Sequence, residues 1–372
     1  MSFDDRLQPV LEIAAEHAAA VDREARFPEE TISALRAAGL LGLTLPKAIG
    51  GLGGVPADFL SATRALASRC ASSAMVYLMH VCAAQCALAG TAGGDSASLR
   101  SMAGGADLST LAFSERGSRS HFWAPMSRIA PGDGRITISA QKSFVTSAGR
   151  ADSYVVSTRP AGTDSPIESS LYLVPSSAGG IRAGSPWDGL GLRGNASGPM
   201  TFDVDVEDAA LLGEAGKGLD LMLGVVLPWF QLGQGAVSLG IAEAAMTATV
   251  AHVTGAKLEH LGQTLADLPT VRARIGRAQT EVDTVAGFLA DVARRMAEGD
   301  PQVPILAAKA SANEMAIRVT TAAMQACGGA AMSRAMPIER SFRDARAGSV
   351  MAPTTDVLYE LTGRALAGMP LL

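Results

Sequence analysis

The sequence predicts a mainly α-helical chain with a β domain set into its middle. Three observations predict it. Alanine- and leucine-rich stretches with apolar residues at helical spacing fill both ends of the 372-residue chain. Between them lie β-branched runs bounded by Gly, Asp and Pro, such as Ile136-Thr137-Ile138-Ser139 and Tyr154-Val155-Val156. The α–β–α order divides the chain into an N-terminal helical domain (1–108), a middle β domain (109–215) closing as a small barrel or sandwich, and a C-terminal helical bundle (216–372).

Residues 1–38 hold two helices, the second opening at Phe27-Pro28-Glu29-Glu30, where proline and acids suit a first turn. The glycines of 39–54 exclude a regular helix and favour a compact loop. A phosphate cradle there would need a Lys-Ser/Thr continuation between strand and helix, which is missing. From Ala57 to Gly90 the pattern is helical, interrupted near Arg69–Ser73, with Met75, Leu78, Met79, Cys82 and Cys86 on one core-facing stripe. Thr91 to Ala106 is a Gly/Ser/Ala-rich connection.

In the middle domain Leu171–Pro175 and Thr201–Val206 are further strands. Phe144 and Thr146, two residues apart, are expected on one face of a strand. There a ring could lie along a flat heterocycle while the hydroxyl reaches its edge; an ordinary sheet with a hydroxyl-rich face would look the same. Four helical patterns follow, roughly Leu219–Thr254, Leu268–Glu298, Val303–Cys327 and Thr355–Leu366, and they make a four-helix bundle the economical answer. Pro228 marks a kink in the first, and Gly328-Gly329 stops the third.

Hydrophobic residues at 48% and charged residues at 18% indicate extensive buried surface, and an oligomer is one way to hide part of it. A net charge of −5 argues against nucleic acid as a partner. Cys70, Cys82, Cys86 and Cys327 form no CxxC pair and have no histidine at metal spacing, so they are expected as buried thiols and no metal site is expected. The amphipathic, charged N-terminus is unlike a signal peptide, and no uninterrupted apolar run reaches the roughly 20 residues of a membrane span. A cytoplasmic protein without a membrane partner is expected.

Several motifs then occur in a fixed order. The Gly-rich stretch 39–54 follows "G-L-x-G-x-x-x-P-x-x-x-G-G-x-G". Ala112–Arg119 follows "A-x-T-E-P-x-x-G-S-D" loosely, with Arg116 for Pro and Arg119 for Asp; Gln141–Asp152 follows "G-x-K-x-W/F-I/V-T-N-A-x-x-A-D" closely. Trp187–Ser197 matches "L-G-x-R-G-S/T", Leu211–Gly218 matches "N-L-L-G-x-x-G-x-G", Ala308–Glu314 matches "A-K-x-x-A-x-E", Gln325–Gly329 matches the start of "Q-x-x-G-G-x-G", and Pro337–Arg346 matches "P-x-E-R-x-x-R-D-A-R". Over nearly its whole length the chain resembles the acyl-CoA dehydrogenase family.

The resemblance implies FAD, bound between subunits of a homotetramer or dimer. It implies flavin contacts at Phe113, Ser114, Ser118, Phe144, Val145 and Thr146 in the β domain, and at Gln325, Gly328, Gly329, Thr354 and Asp356 in the bundle. It places His80, Trp229, Phe230 and Ala352 around the substrate. In the family a carboxylate takes the thioester's α-proton while a hydride leaves the β-carbon. The two positions that supply that carboxylate are Ala352 and Phe230 here, and neither is acidic. Leu258–Gly262 also lacks the arginine of "R-x-x-F-G", which in the family helps hold the FAD phosphates.

The expected function is therefore a flavin-dependent oxidoreductase acting on an acyl thioester or related small molecule without the usual glutamate, and passing electrons to an acceptor. One alternative is a flavin monooxygenase, with FMN possible and a flavin reductase as partner. Another is a base-less subunit paired with a complete homologue. His80, His121, Glu115 and Asp356 are candidates for a substitute base.

Overall fold

Helix α1 (Phe3–Glu24) begins at a capping box, in which Ser2 Oγ accepts the Asp5 N–H and the Asp5 carboxylate accepts the Ser2 N–H. It buries the stripe Leu7, Val10, Leu11, Ala14, Ala18 and Val21. Helices α2 (Glu29–Ala37), α3 (Pro56–Ala67), α4 (Ala71–Gly90) and α5 (Ala97–Ala103) complete the N-terminal part. This computed structural model describes residues 2–91, 96–118, 121–165, 167–299 and 302–371. Helix α5 corrects the expectation of an irregular connection there. Its Ser and Gly content hid an amphipathic turn, capped by Ser96 Oγ accepting the Leu99 N–H and anchored by Leu99 and Met102.

The middle domain has two four-stranded sheets. One, ordered β1-β4-β5-β8, uses Ser109–Ala112, Ser153–Thr158, Ser170–Pro175 and Leu211–Leu212; only β1 and β4 pair parallel. The other, ordered β2-β3-β7-β6, uses Arg128–Pro131, Arg135–Val145, Gly198–Glu207 and Ile181–Ala183, all antiparallel. Alternation along β3 and β7 turns Ile136, Ile138, Phe202 and Val204 inward, onto Tyr154, Val156, Tyr172 and Val174 of the facing sheet. Bridges at Glu115–Lys142 and Arg128–Arg159 join the two sheets along one edge, giving a flattened, partly closed barrel.

The C-terminal part opens with α6 (Gly218–Leu221), a π-helical turn (Met222–Val226) and α7 (Leu227–Gly255). Around Pro228 the chain makes this wider turn, Leu227 N–H bonding five residues back to Met222 O. A short hairpin, β9 (Lys257–Leu258) and β10 (Gln263–Thr264), leads to α8 (Pro269–Ala297), α9 (Gln302–Cys327), α10 (Pro337–Asp344), α11 (Ala347–Val350) and α12 (Thr355–Leu366). The two helical parts share one core: α3 and α4 pack on α7, with Phe59, Tyr77 and Leu78 against Leu232 and Leu239. Gly240 permits this approach, since a Cβ there would lie 2.7 Å from Ala67 Cβ and 2.9 Å from Ser68 N. Helix α4 and the 218–255 segment are long and apolar enough to cross a membrane by composition, yet most of each apolar window is buried inside the protein.

Candidate active site

In the β domain the polar motifs are held together by a buried ion pair. Lys142 Nζ lies 2.6 Å from Glu115 Oε1 and also donates to Ser157 O at 2.5 Å. Glu115 Oε1 accepts the Ser127 hydroxyl, and its Oε2 accepts the backbone N–H groups of Met126 and Ser127. Burial raises the Glu115 pKa, but the Lys142 charge and these hydrogen bonds outweigh it and hold the carboxyl below its ordinary value. Burial brings Lys142 down to about 8 against the opposing pull of Glu115. With both oxygens engaged, Glu115 is a brace for the 113–127 loop and not a free base.

Phe144 and Thr146 do not share a face. The ladder between β3 and β7 slips between Lys142 and Val145, and Phe144 takes a left-handed φ of +56°. The extra residue throws the Phe144 ring outward, 68% exposed and edge-on to Trp187 at 6.3 Å, while Thr146 is 2% exposed with its hydroxyl 3.1 Å from Ser197 Oγ. Val145 and Phe113 are core residues. Ser114 accepts the Ser143 N–H through its carbonyl, and Ser118 Oγ closes a turn onto the Glu115 backbone. Arg119 lies outside the described residues.

His80, expected beside the substrate, is instead a fully buried structural residue. Its Nδ1 accepts the Ser109 N–H at 3.0 Å, which leaves Nε2 to donate to Leu41 O at 3.0 Å. Burial lowers its pKa to about 4, so the ring is neutral. It ties α4 to β1 and the 40–42 turn. The amides of 51–54 bond back to carbonyls of residues 42–46, which leaves no anion cradle there. His121 stacks against Trp123 on the exposed side of the β domain, and Asp356 is exposed in the first turn of α12.

The bundle brings the two base positions to one side chain that the sequence reading passed over. Lys309 Nζ on α9 donates to Met351 O at 2.8 Å and Pro353 O at 2.6 Å, the carbonyls on either side of Ala352. The same nitrogen sits 5.3 Å from the centre of the Phe230 ring. No carboxylate pairs with it among the described residues, and burial lowers its pKa to about 7. Beside it runs a polar seam: Ser238 Oγ bonds Asn313 Oδ1 at 2.8 Å, and Gly348 packs so closely on Asn313 and Gln234 that a Cβ would collide with both. Gln231, next to Phe230, is fully buried with neither amide atom bonded. The available signal for Lys309 was its spacing, four residues after Ile305 and three before Ala312 on the buried stripe of α9.

Gln325, Gly328 and Gly329 lie exposed at the end of α9, Gly328 with φ +58°, and a Cβ on either glycine would meet nothing within 4 Å. Thr354 is the half-buried residue before α12. A cleft of about 660 Å³ opens elsewhere, between the C-terminal half of α4, the π-helical turn and the end of α8; Gln85, Leu88, Val225, Trp229 and Met296 line it. Trp229 packs at a tilt against Phe59, ring centres 5.4 Å apart, and stands one residue before Phe230, so the cleft adjoins the lysine-held turn. Phe230, Ala352 and His80 do not line it.

A β domain braced between two helical parts that share a core, with a turn pinned before the last helix, is the architecture of acyl-CoA dehydrogenase-like flavoprotein oxidoreductases. Sequence profiles of the acyl-CoA dehydrogenase N-terminal, middle and C-terminal domains match residues 9–106, 110–204 and 216–367, and the chain belongs to that family. It is 26% identical over 358 residues to a probable acyl-CoA dehydrogenase of Bacillus subtilis, covering 95% of this chain and 93% of that one. Its fold matches butyryl-CoA dehydrogenase of Megasphaera elsdenii with a TM-score of 0.89 at 24% identity, over 98% of each chain. A prolyl acyl carrier protein oxidase matches with a TM-score of 0.87 at 18% identity, again over 98% of each chain.

Proposed function

We propose that this protein is an FAD-dependent oxidoreductase acting on an acyl thioester without a carboxylate base at either usual position. The observation that carries the reading is the convergence of Ala352 and Phe230 on Lys309: both places are apolar, and the group they share is a buried amine turned onto backbone carbonyls. The exposed Phe144 ring suits a flat heterocycle, because an aromatic this open on a β surface gains by being covered. Phe144 and Ser114, with Thr354 and Asp356 before and within the last helix, would hold the flavin. Gln325, Gly328 and Gly329 of a neighbouring copy would complete the site in a homotetramer or dimer. When bound, the flavin supplies the two-electron acceptor. The protein's own contribution is to bind the thioester beside the Trp229–Phe230 wall, exclude water there and fix the Ala352 turn.

Anaerobic addition of an acyl thioester to the flavin-loaded protein should bleach the flavin absorbance. No bleaching, together with oxygen incorporation into product that requires a flavin reductase, would replace this reading by monooxygenation with FAD or FMN. The dry aromatic wall beside the cleft is the observation favouring that second reading.

A further inference from the structure

A second cleft, of about 200 Å³, lies where the end of α1, the 188–193 loop and the residues in and before α10 meet. That is below the roughly 300–1,000 Å³ usual for small-ligand sites, so it has room for one compact group. Four arginines line it, Arg23, Arg193, Arg334 and Arg343, against a single carboxylate, Asp22. That carboxylate is spent: Arg343 Nη1 and Nη2 donate to its two oxygens at 2.9 and 2.6 Å. Arg343 is spent as well, because its remaining N–H groups go to Leu190 O and to both carboxylate oxygens of Glu339. The donors left over belong to the other arginines. Arg193 uses Nε on Asp22 O and Nη1 on Asp188 and Gly189 O, which leaves Nη2 without an acceptor among the described residues. Arg334 is exposed and has no hydrogen bond or ion pair among them. Arg23 engages Glu24 through Nη2 alone. The loop wall is preformed: a Cβ on Gly191 would lie 2.6 Å from Arg343 O, and the Leu192 N–H donates to Asp344 Oδ1 at 2.7 Å, so the loop is seated on α10. Planar guanidinium forks with open N–H groups in a recess match the oxygens of a phosphate or a carboxylate, and their weak hydration makes the exchange of water for such a group cheap.

We infer that this cleft binds one small oxyanion, a phosphate or carboxylate group, with Arg193 and Arg334 as its principal donors, and that the bound anion ties the end of α1, the 188–193 loop and the segment before α10 together. None of the residues assigned above to flavin or thioester lines it. The site is therefore additional to the proposed function and stands without it.

The test titrates inorganic phosphate into the protein as purified, at constant ionic strength balanced with chloride, and follows the heat of binding. The expected result is one saturable site per chain with a dissociation constant below about 1 mM. Amide hydrogen exchange across 188–193 should slow as the site fills; binding with no slowing there would put the anion elsewhere and overturn the inference. Arg334→Gln removes a side chain that holds nothing else in the fold, and it should weaken binding at least about 10-fold. Arg277, exposed on α8 and equally without a partner among the described residues, supplies the control: Arg277→Gln should leave the affinity unchanged. Equal losses in the two variants would reduce the effect to general attraction by surface charge, and no saturation by about 20 mM phosphate would mean that no site exists; either result defeats the proposal. Any bound flavin is followed by its visible absorbance during the titration. A constant absorbance keeps the site apart from the flavin, whereas release of flavin as phosphate binds would place the anion in the flavin's own phosphate site and sink the assignment. A parallel titration with succinate separates the sources: tighter phosphate assigns a phosphorylated ligand, and tighter succinate assigns a carboxylate.

Discussion

Two lysines are buried in this molecule, one in the β domain and one in the bundle, and they are satisfied in different ways. Lys142 faces a carboxylate whose every lone-pair direction is used, so the pair is a neutral, closed unit. Lys309 faces two backbone carbonyls and a phenyl ring, and its charge has no counter-ion among the described residues. The first arrangement ties loop to sheet as an ion pair, the Glu115 charge opposing the loss of the Lys142 proton. The second can exist as an amine or an ammonium, since two N–H donors meet both carbonyls in either form.

Lys142→Met should be the most damaging change, about 3–5 kcal/mol of stability, because it strands a buried carboxylate. Denaturant unfolding would measure it, and adding Glu115→Gln should recover part of the loss. Lys309→Met should cost less, about 1–3 kcal/mol, since it strands only carbonyl acceptors. If it costs more than Lys142→Met, the contrast between the two lysines is wrong.

The same contrast has a pH signature. Lys309 is brought to about 7 in the fold from an ordinary 10.5, so between these values the unfolded chain binds the extra proton and stability rises with pH. The stability gap between wild type and Lys309→Met should therefore grow by about 1–3 kcal/mol from pH 7 to pH 9, and a constant gap would mean the amine does not titrate there. Ala352→Glu would set a carboxylate next to Lys309, where pairing lowers its basicity; desaturation of a simple acyl-CoA should rise less than about 10-fold, against the roughly 10²–10⁴-fold that a positioned base supplies. Phe144→Ala should change stability by no more than about 0.5 kcal/mol while reducing bound flavin, read from the visible absorbance of the purified protein.

Much of the fold was legible because periodicity reports burial. The helical patterns at both ends and the inward alternation of Ile136, Ile138, Phe202 and Val204 correspond to observed helices and strands. The same reasoning misplaced Phe144, because period-2 logic holds only while the ladder keeps register, and a bulge of non-glycine residues leaves no mark in composition. His80 stayed open between a core histidine and one near the ligand for a related reason: a lone histidine on a buried stripe does not reveal whether its partners are a ligand or two backbone groups. Lys309 went unnoticed because a motif letter carries no geometry. Only coordinates show that its nitrogen spans the residue whose side chain is missing a function.

The π-helical turn at Met222–Val226 has a consequence for how this protein tolerates changes in length. It fits one extra residue into a continuous helix, so that Met222 at the start of the turn and Leu232, Val237 and Leu239 after it all face the core shared with the N-terminal helices. Removing one residue from the turn would restore ordinary winding while the segments on either side keep about their present phase, because the wider turn is what absorbs the extra residue. Gly224 and Val225 of the cleft wall lie in that turn, so this is the place where the shortest possible deletion should reshape the pocket while leaving the bundle intact.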